Sequence, residues 1–415
     1  MDNGCGESPE RPTTRELIVF AACLGALLLY LAVERVRMER ALRRVPRRIA
    51  VIGTRGKSGV TRLVAAGLRA SGARVLAKTT GSKSVLIMPD GSEQDIARPG
   101  GASIREQVRL VTLAAEMGAD TLVSEIMSIG AECLAAESRR ILRPGTLALT
   151  NVRLDHLDEM GREKAGIART LASAFPERAD VFVPAEEVYP VFEETAAWRA
   201  SRLHPVAPSA GVEGHDEGSP PAFGEFEPNV RLARAVLESL GIDGGTARRG
   251  MAGAAPDLGS LRIWRGRFGH PARPAVCVSA FAANEPESST AALAKVRERI
   301  SLEGRLLIGL LSLREDRGDR TLQWVRAAGG GFFREFAHVV VLGPPARAAF
   351  QKIRRSPAPG GTVFSYYSGS SPEELMNRVF SVADGEPVIV GLANIVGLGE
   401  RIVRYWDEEG TAYDR

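Results

Sequence analysis

The sequence predicts an α/β protein in three parts: one amino-terminal transmembrane helix, a phosphate-loop (P-loop) central domain, and a smaller Rossmann-like carboxy-terminal α/β domain. A stretch of seventeen uncharged residues, 17–33, precedes everything else. From residue 48 onward, short apolar runs alternate with helix-length segments, the pattern of a mostly parallel sheet flanked by helices. The first of those runs breaks into Gly53-Thr-Arg-Gly-Lys-Ser58, a glycine-rich turn that opens a helix. At 415 residues the chain exceeds what one hydrophobic core supports. Domains at 47–256 and 257–415 are therefore expected behind an anchor segment at 1–46.

The uncharged stretch reaches the lower limit for crossing a bilayer. Before it, acids (Asp2, Glu7, Glu10, Glu16) outnumber bases (Arg11, Arg15), the reverse of a secretory leader. After it come Arg35, Arg37, Arg40, Arg43, Arg44, Arg47 and Arg48 against Glu34 and Glu39. The positive-inside rule then places the rest of the chain in the cytoplasm, on a single-pass protein of the cell (inner, plasma) membrane. A cleaved signal peptide and a soluble hydrophobic helix are the competing readings.

In the central domain, strands are expected at 48–52, 74–77, 121–123 and 146–150, with helices at 59–71, 103–117 and 229–240. Residues 209–228, rich in turn formers, read as a loop. A second α/β series follows the junction at 256–259, with strands at 275–280, 305–311, 338–342 and 387–391, and 355–361 as a turn-rich connection. Polar groups collect at the strand ends, where ligands bind in open α/β sheets. Net charge is only +4, six lysines stand among 54 basic residues, and no basic stripe interleaved with aromatics is present, so no nucleic-acid partner is indicated. Cysteines 5, 23, 133 and 277 form no CxxC pair, which argues against a zinc site or a disulfide framework.

Gly53 and Gly56 let the backbone bring successive N–H groups onto phosphate oxygens, and the following helix adds its partial positive charge. Lys57 would reach the terminal phosphates and the Ser58 hydroxyl would ligate magnesium. The chain lacks the first glycine of the strict Walker spacing, so a glycine-rich strand-to-helix turn is the bland alternative. Glu125, at the end of the 121–123 strand, is placed to bind the same ion; a solvated strand-end carboxylate is its plain counterpart. In Asn151-Val-Arg-Leu-Asp155-His156-Leu-Asp158, the Asp-His pair suits a metal ligand oriented by a carboxylate, against a structural histidine. Arg314-Glu-Asp-Arg317-Gly-Asp-Arg320 reads as a lattice of arginine forks for phosphate or carboxylate, against a solvated charged loop.

These motifs, with Lys78-Thr-Thr-Gly81, Pro256-Asp-Leu-Gly-Ser-Leu-Arg262, Phe281-Ala-Ala-Asn284 and Gly391-Leu-Ala-Asn394, resemble the ATP-dependent Mur ligase and folylpolyglutamate synthase superfamily, and within it the ligase subunits of bacterial poly-γ-glutamate synthases, which form capsules. The resemblance implies a Mur-ligase-like central domain and an acid–amino-acid ligase using ATP and Mg²⁺. It would activate a glutamate carboxylate as an acyl phosphate and join it to the amine of another glutamate. It implies that Gly53, Thr54, Gly56, Lys57 and Ser58 hold the nucleotide phosphates, that Ser58, Glu125 and His156 ligate magnesium, and that Asn284 and Arg317 close the nucleotide or acyl-phosphate site. Lys57, His156 and Arg317 become the catalytic set. Implied partners are glutamate, the poly-γ-glutamate chain and small membrane subunits that export it, with a homo-oligomer left open. Two departures stand out: the anchor replaces the substrate-binding amino-terminal domain of several Mur ligases, and the carbamylated lysine of those enzymes has only Lys164 as a nearby counterpart. Another ligase of the superfamily, a non-catalytic ATP-binding subunit of an exporter, and a P-loop kinase or GTPase are the alternatives; the last lacks an Asn-Lys-x-Asp motif.

Overall fold

The computed structural model describes residues 13–81, 84–98, 101–208, 226–355 and 361–413. Most of the expected 209–228 loop and of the 355–361 connection lies outside them, as do residues 1–12. Helix α1 (Thr14–Arg44) opens with a capping box, in which Thr13 and Glu16 satisfy each other's backbone N–H groups. Leu17, Phe20, Leu28 and Leu29 are exposed along it. Among the described residues it is the one helix long and apolar enough to cross a membrane.

The arginine-rich segment continues α1 rather than leaving it as a linker, and Ala41, Leu42 and Val45 are buried in the first domain's core. Arg48, the last arginine of that run, turns inward. Its guanidinium donates to the carbonyls of Leu42, Val45 and Pro46 at 2.6–3.2 Å and to those of Leu142 and Arg143 at 2.9–3.1 Å. A cation at a helix carboxyl end satisfies carbonyls that have no intrahelical partner. The apolar helix is thus jointed to the domain by packing and by hydrogen bonds.

The first sheet contains β1 (Arg47–Ile52), β2 (Val75–Thr79), β3 (Val85–Ile87), β4 (Glu93–Asp95), β5 (Thr121–Glu125), β6 (Thr146–Leu149), β7 (Asp180–Pro184) and β8 (Arg202–Val206), in the order β4-β3-β2-β5-β1-β6-β7-β8. Six strands pair in parallel, and β3 and β4 extend one edge through antiparallel pairings, with β3 the reversed strand. Because both faces are covered, β1 is apolar at consecutive positions. Ile49 and Val51 pack in a cluster with Val60, Leu63 and Val64 of α2 (Lys57–Ala70), and Ala50 and Ile52 in one with Leu110 and Val111 of α3 (Arg105–Glu116).

The second sheet contains β9 (Arg262–Phe268), β10 (Arg273–Ala280), β11 (Leu307–Ser312), β12 (His338–Leu342), β13 (Val363–Tyr367), β14 (Val388–Ala393) and β15 (Gly410–Ala412), in the order β13-β12-β11-β14-β10-β9-β15. β9 and β15 are its antiparallel members. Trp264, Phe281 and Trp406 anchor one face, their rings 5.8 and 5.9 Å apart. The eight expected strands are all present. The seven others include three-residue strands at or next to a sheet edge, and β9, whose arginines hide the buried Trp264 and Phe268. Residues at the carboxyl ends of β1, β5 and β6 line one cleft together with residues following β10 and β14.

Candidate active site

The cleft has a volume of about 890 Å³ and its floor is the 53–58 turn. That turn is pinned from β6. Thr54 Oγ1 donates to Asn151 Oδ1 at 2.8 Å, the Arg55 N–H donates to the same oxygen at 3.1 Å, and Thr150 Oγ1 donates to the Arg55 carbonyl at 2.5 Å. The Thr54 N–H is taken by the Asn151 carbonyl. Thr54, expected at the phosphates, therefore spends its hydroxyl and N–H on shaping the loop. At the start of α2 no side chain caps the helix. The first-turn N–H groups at Lys57, Ser58 and Gly59 are therefore those suited to an anion.

Gly53 has φ +127°, and a Cβ there would lie 2.1 Å from Thr150 Oγ1. Gly53→Ala is expected to destabilise the domain by about 2–4 kcal/mol through strain and overpacking and to remove nucleotide binding. Thermal unfolding and ADP titration of the variant check both effects.

Lys57 Nζ donates to the Gly53 carbonyl at 2.8 Å. Burial pushes its pKa down, and Glu125 opposes that shift. Ser58 Oγ donates to Glu125 Oε2 at 2.7 Å, and the Thr80 N–H donates to the same oxygen at 2.7 Å. Glu125 is 2% exposed and ends β5 rather than following it. Ser58 and Glu125 thus form a paired set of hard oxygen donors beside the cradle, which fits magnesium. Among the described residues no three His, Cys, Asp or Glu side chains form a cage, in keeping with an ion that retains waters and substrate phosphates as ligands.

His156 sits at φ +48°. Burial, Arg317, Arg320 and Lys57 lower its pKa against the pull of Asp155. That favours the neutral imidazole, the form that binds metals. The expected orientation of His156 by Asp155 is not what the structure has: the two are 3.7 Å apart, and Asp155 pairs with Arg55 at 3.3 Å and with Arg320 at 2.7 Å. Lys164 begins the helix Lys164–Ala172 and does not line the cleft.

From the second domain, Asn284, Arg314, Arg317 and Arg320 reach the cleft. The expected arginine–aspartate lattice is divided. Arg314 forks onto Asp316 at 2.8 and 2.6 Å, and Arg320 crosses to Asp155. Arg317 forms no carboxylate pair among the described residues and stands near His156. With its amide oriented to satisfy both atoms, Asn284 donates to the Ala393 carbonyl and accepts from Arg55 Nη1, each at 2.6 Å. The structure thus brings all the expected site residues to one cleft.

Sequence reasoning gave no role of their own to Arg55, Thr80 and Asn229, all of which line or touch the cleft. Asn229 lies so close to Gly56 that a Cβ there would meet its amide nitrogen at 2.6 Å. Only its place at the start of the helix Glu227–Ser239 could have marked it.

Residues 266–409 match the family described as the poly-gamma-glutamate synthase CapB C-terminal domain. The chain is 29% identical to the capsule biosynthesis protein CapB of Bacillus anthracis over 95% of its own length and 83% of the relative's. It is 28% identical to the PGA synthase CapB of Bacillus subtilis (strain 168), over 93% and 96%. Among solved structures it is similar to the bifunctional folylpolyglutamate synthase/dihydrofolate synthase of Yersinia pestis complexed with AMPPNP and a Mn ion, with TM-score 0.64 and 15% identity over 89% of this chain and 92% of that one. The chain thus carries a CapB-type carboxy-terminal domain, resembles the CapB proteins along nearly its whole length, and shares the fold of the folylpolyglutamate synthases.

Proposed function

We propose that this protein is an ATP-dependent amide ligase that joins glutamate units into poly-γ-glutamate. The observation that carries the reading is the facing of two chemistries across one cleft. The uncapped helix start, Lys57 and the Ser58–Glu125 oxygen pair lie on one wall, and Arg317 and Asn284 on the other. The curated relatives named as capsule and PGA synthases support the substrate, and the nucleotide and manganese of the structural neighbour support the cosubstrate and metal.

In this reading a glutamate carboxylate oxygen bonds to the γ-phosphorus of ATP and ADP leaves. The amine of a second glutamate then adds to the acyl carbon, loses a proton, and expels inorganic phosphate. The first step brings two anions together and the second develops an oxyanion beside the phosphate, so fixed positive charge must offset this in the transition states. Lys57 supplies it at the floor. Arg317, free of a carboxylate partner among the described residues, supplies it from the opposite wall. Magnesium at Ser58 and Glu125, with His156 as a nitrogen ligand, would neutralise phosphate oxygens. The first-turn N–H groups of α2 orient the phosphates, while Thr54 and Asn151 keep the loop in shape.

We place α1 across the cell membrane with both catalytic domains in the cytoplasm, since arginines follow its apolar part. The packed joint at Arg48 would hold the ligase beside membrane subunits that export the polyanion. Incubation with ATP, magnesium and glutamate or oligoglutamate, followed by hydroxylamine, should trap a glutamyl hydroxamate and show acceptor-dependent phosphate release. Acceptor-independent hydrolysis without hydroxamate would overturn the ligase reading in favour of a non-catalytic or ATPase role.

A further inference from the structure

Arg55 lies inside the phosphate loop, yet its side chain leaves that loop. Its backbone is fixed on both sides, the N–H by Asn151 Oδ1 and the carbonyl by Thr150 and Asn151. Its guanidinium points into the second domain, where Nη2 meets Glu285 Oε2 at 2.5 Å and Nη1 meets the Asn284 amide oxygen. Glu285 precedes the helix Pro286–Arg299 and is held by the Ser288 hydroxyl. On its near side Arg55 contacts Asp155, whose other oxygen receives Arg320 from the second domain at 2.7 Å. The chain Glu285–Arg55–Asp155–Arg320 therefore crosses between the domains at both ends. All four side chains are at most 21% exposed.

We infer that Arg55 is a positioning residue that couples the phosphate loop to closure of the carboxy-terminal domain, and that this clasp keeps water from the activated carboxylate. The inference rests on the ligase reading above. Two carboxylates hold the guanidinium away from a direct place on the phosphates, so its charge acts through the second domain's pose. A planar fork meeting Glu285, Asp155 and Asn284 together is a task that a lysine cannot reproduce. When the clasp opens, water in place of the amine attacks the acyl phosphate, releasing free carboxylate and inorganic phosphate with no amide bond.

The test compares the full-length wild type with Arg55→Gln, Glu285→Gln, the double variant and Arg55→Lys, all solubilised in the same detergent. The quantities measured are ADP affinity, amide formation, phosphate released per amide bond, and radius of gyration by X-ray scattering with ADP bound. The inference expects ADP affinity within about threefold of wild type, amide formation at least tenfold lower, more than one phosphate per amide, and a larger radius. The double variant should be no worse than Arg55→Gln alone, since Glu285→Gln removes an interaction that Arg55→Gln has already lost. Arg55→Lys should recover only part of the loss.

A tenfold loss of ADP affinity in Arg55→Gln with an unchanged radius would make Arg55 a phosphate ligand and overturn the clasp. Additive losses in the double variant, or wild-type stoichiometry and radius in the single ones, would overturn it as well. Thermal unfolding that leaves Glu285→Gln folded keeps the test open if Arg55→Gln misfolds. Failure of the wild type to form any hydroxamate would instead remove the ligase reading.

Discussion

Lys57→Ala is expected to lower glutamyl hydroxamate formation by on the order of 10²–10³-fold, the scale on which one preorganised charge at a developing anion contributes. Phosphate release should fall in parallel, because hydroxamate and inorganic phosphate both arise only after the acyl phosphate has formed. The fold should remain. In the protein without nucleotide, the Nζ bond to the Gly53 carbonyl is the one hydrogen bond this ammonium makes among the described residues, and burial disfavours its charge. The thermal midpoint of the variant should therefore lie within a few degrees of wild type or slightly above it. Turnover near wild type would show that the 53–58 turn is a strand-to-helix connection and not a phosphate cradle. A collapse of the thermal midpoint would show that Lys57 is structural, and the loss of activity would then carry no information about charge.

Much of this site was legible because its signals are local. Gly53, Gly56, Lys57 and Ser58 lie within six residues, and a glycine at φ +127° followed by a helix start leaves a sequence trace. Glu125 was legible because it ends an apolar strand paired with β1, in register with Val51. The interdomain contacts had no such trace. Arg55 and Glu285 are 230 positions apart, and nothing in either neighbourhood specifies the other. Asp155 was assigned to its neighbour His156 because adjacency is all a sequence displays, whereas in the fold two arginines from opposite walls outcompete the imidazole. The missed strands have a similar cause. β9 reads as a charged junction because its outward positions carry Arg265 and Arg267, and its partners β10 and β15 lie on either side of it only after folding.

Asp155 gives the other large expected effect. Burial would raise its pKa, but Arg55, Arg320 and His156 outweigh burial and bring it from 3.8 to about 2. A carboxyl whose folded pKa lies below its unfolded one contributes stability that is complete above the unfolded pKa and is lost as pH falls through the folded value. Here the contribution is roughly 2 kcal/mol, present at neutral pH and lost between about pH 4 and pH 2. Asp155→Asn is therefore expected to lower the unfolding free energy of metal-free protein by about 2 kcal/mol in urea at pH 7, and by about as much at pH 5. The two proteins should converge as the solution is taken below pH 4. Amide formation should fall at least tenfold, since Arg320 loses its anchor on the first domain and Arg55 loses one of its two carboxylates. If Asp155 instead served as a magnesium ligand, the variant would match wild type in chelator at every pH and would differ only in its magnesium dependence. Equal stability in chelator would thus break the ionic chain across the cleft, while a pH-dependent gap that closes in acid would establish that the two arginines hold this carboxylate in the folded protein.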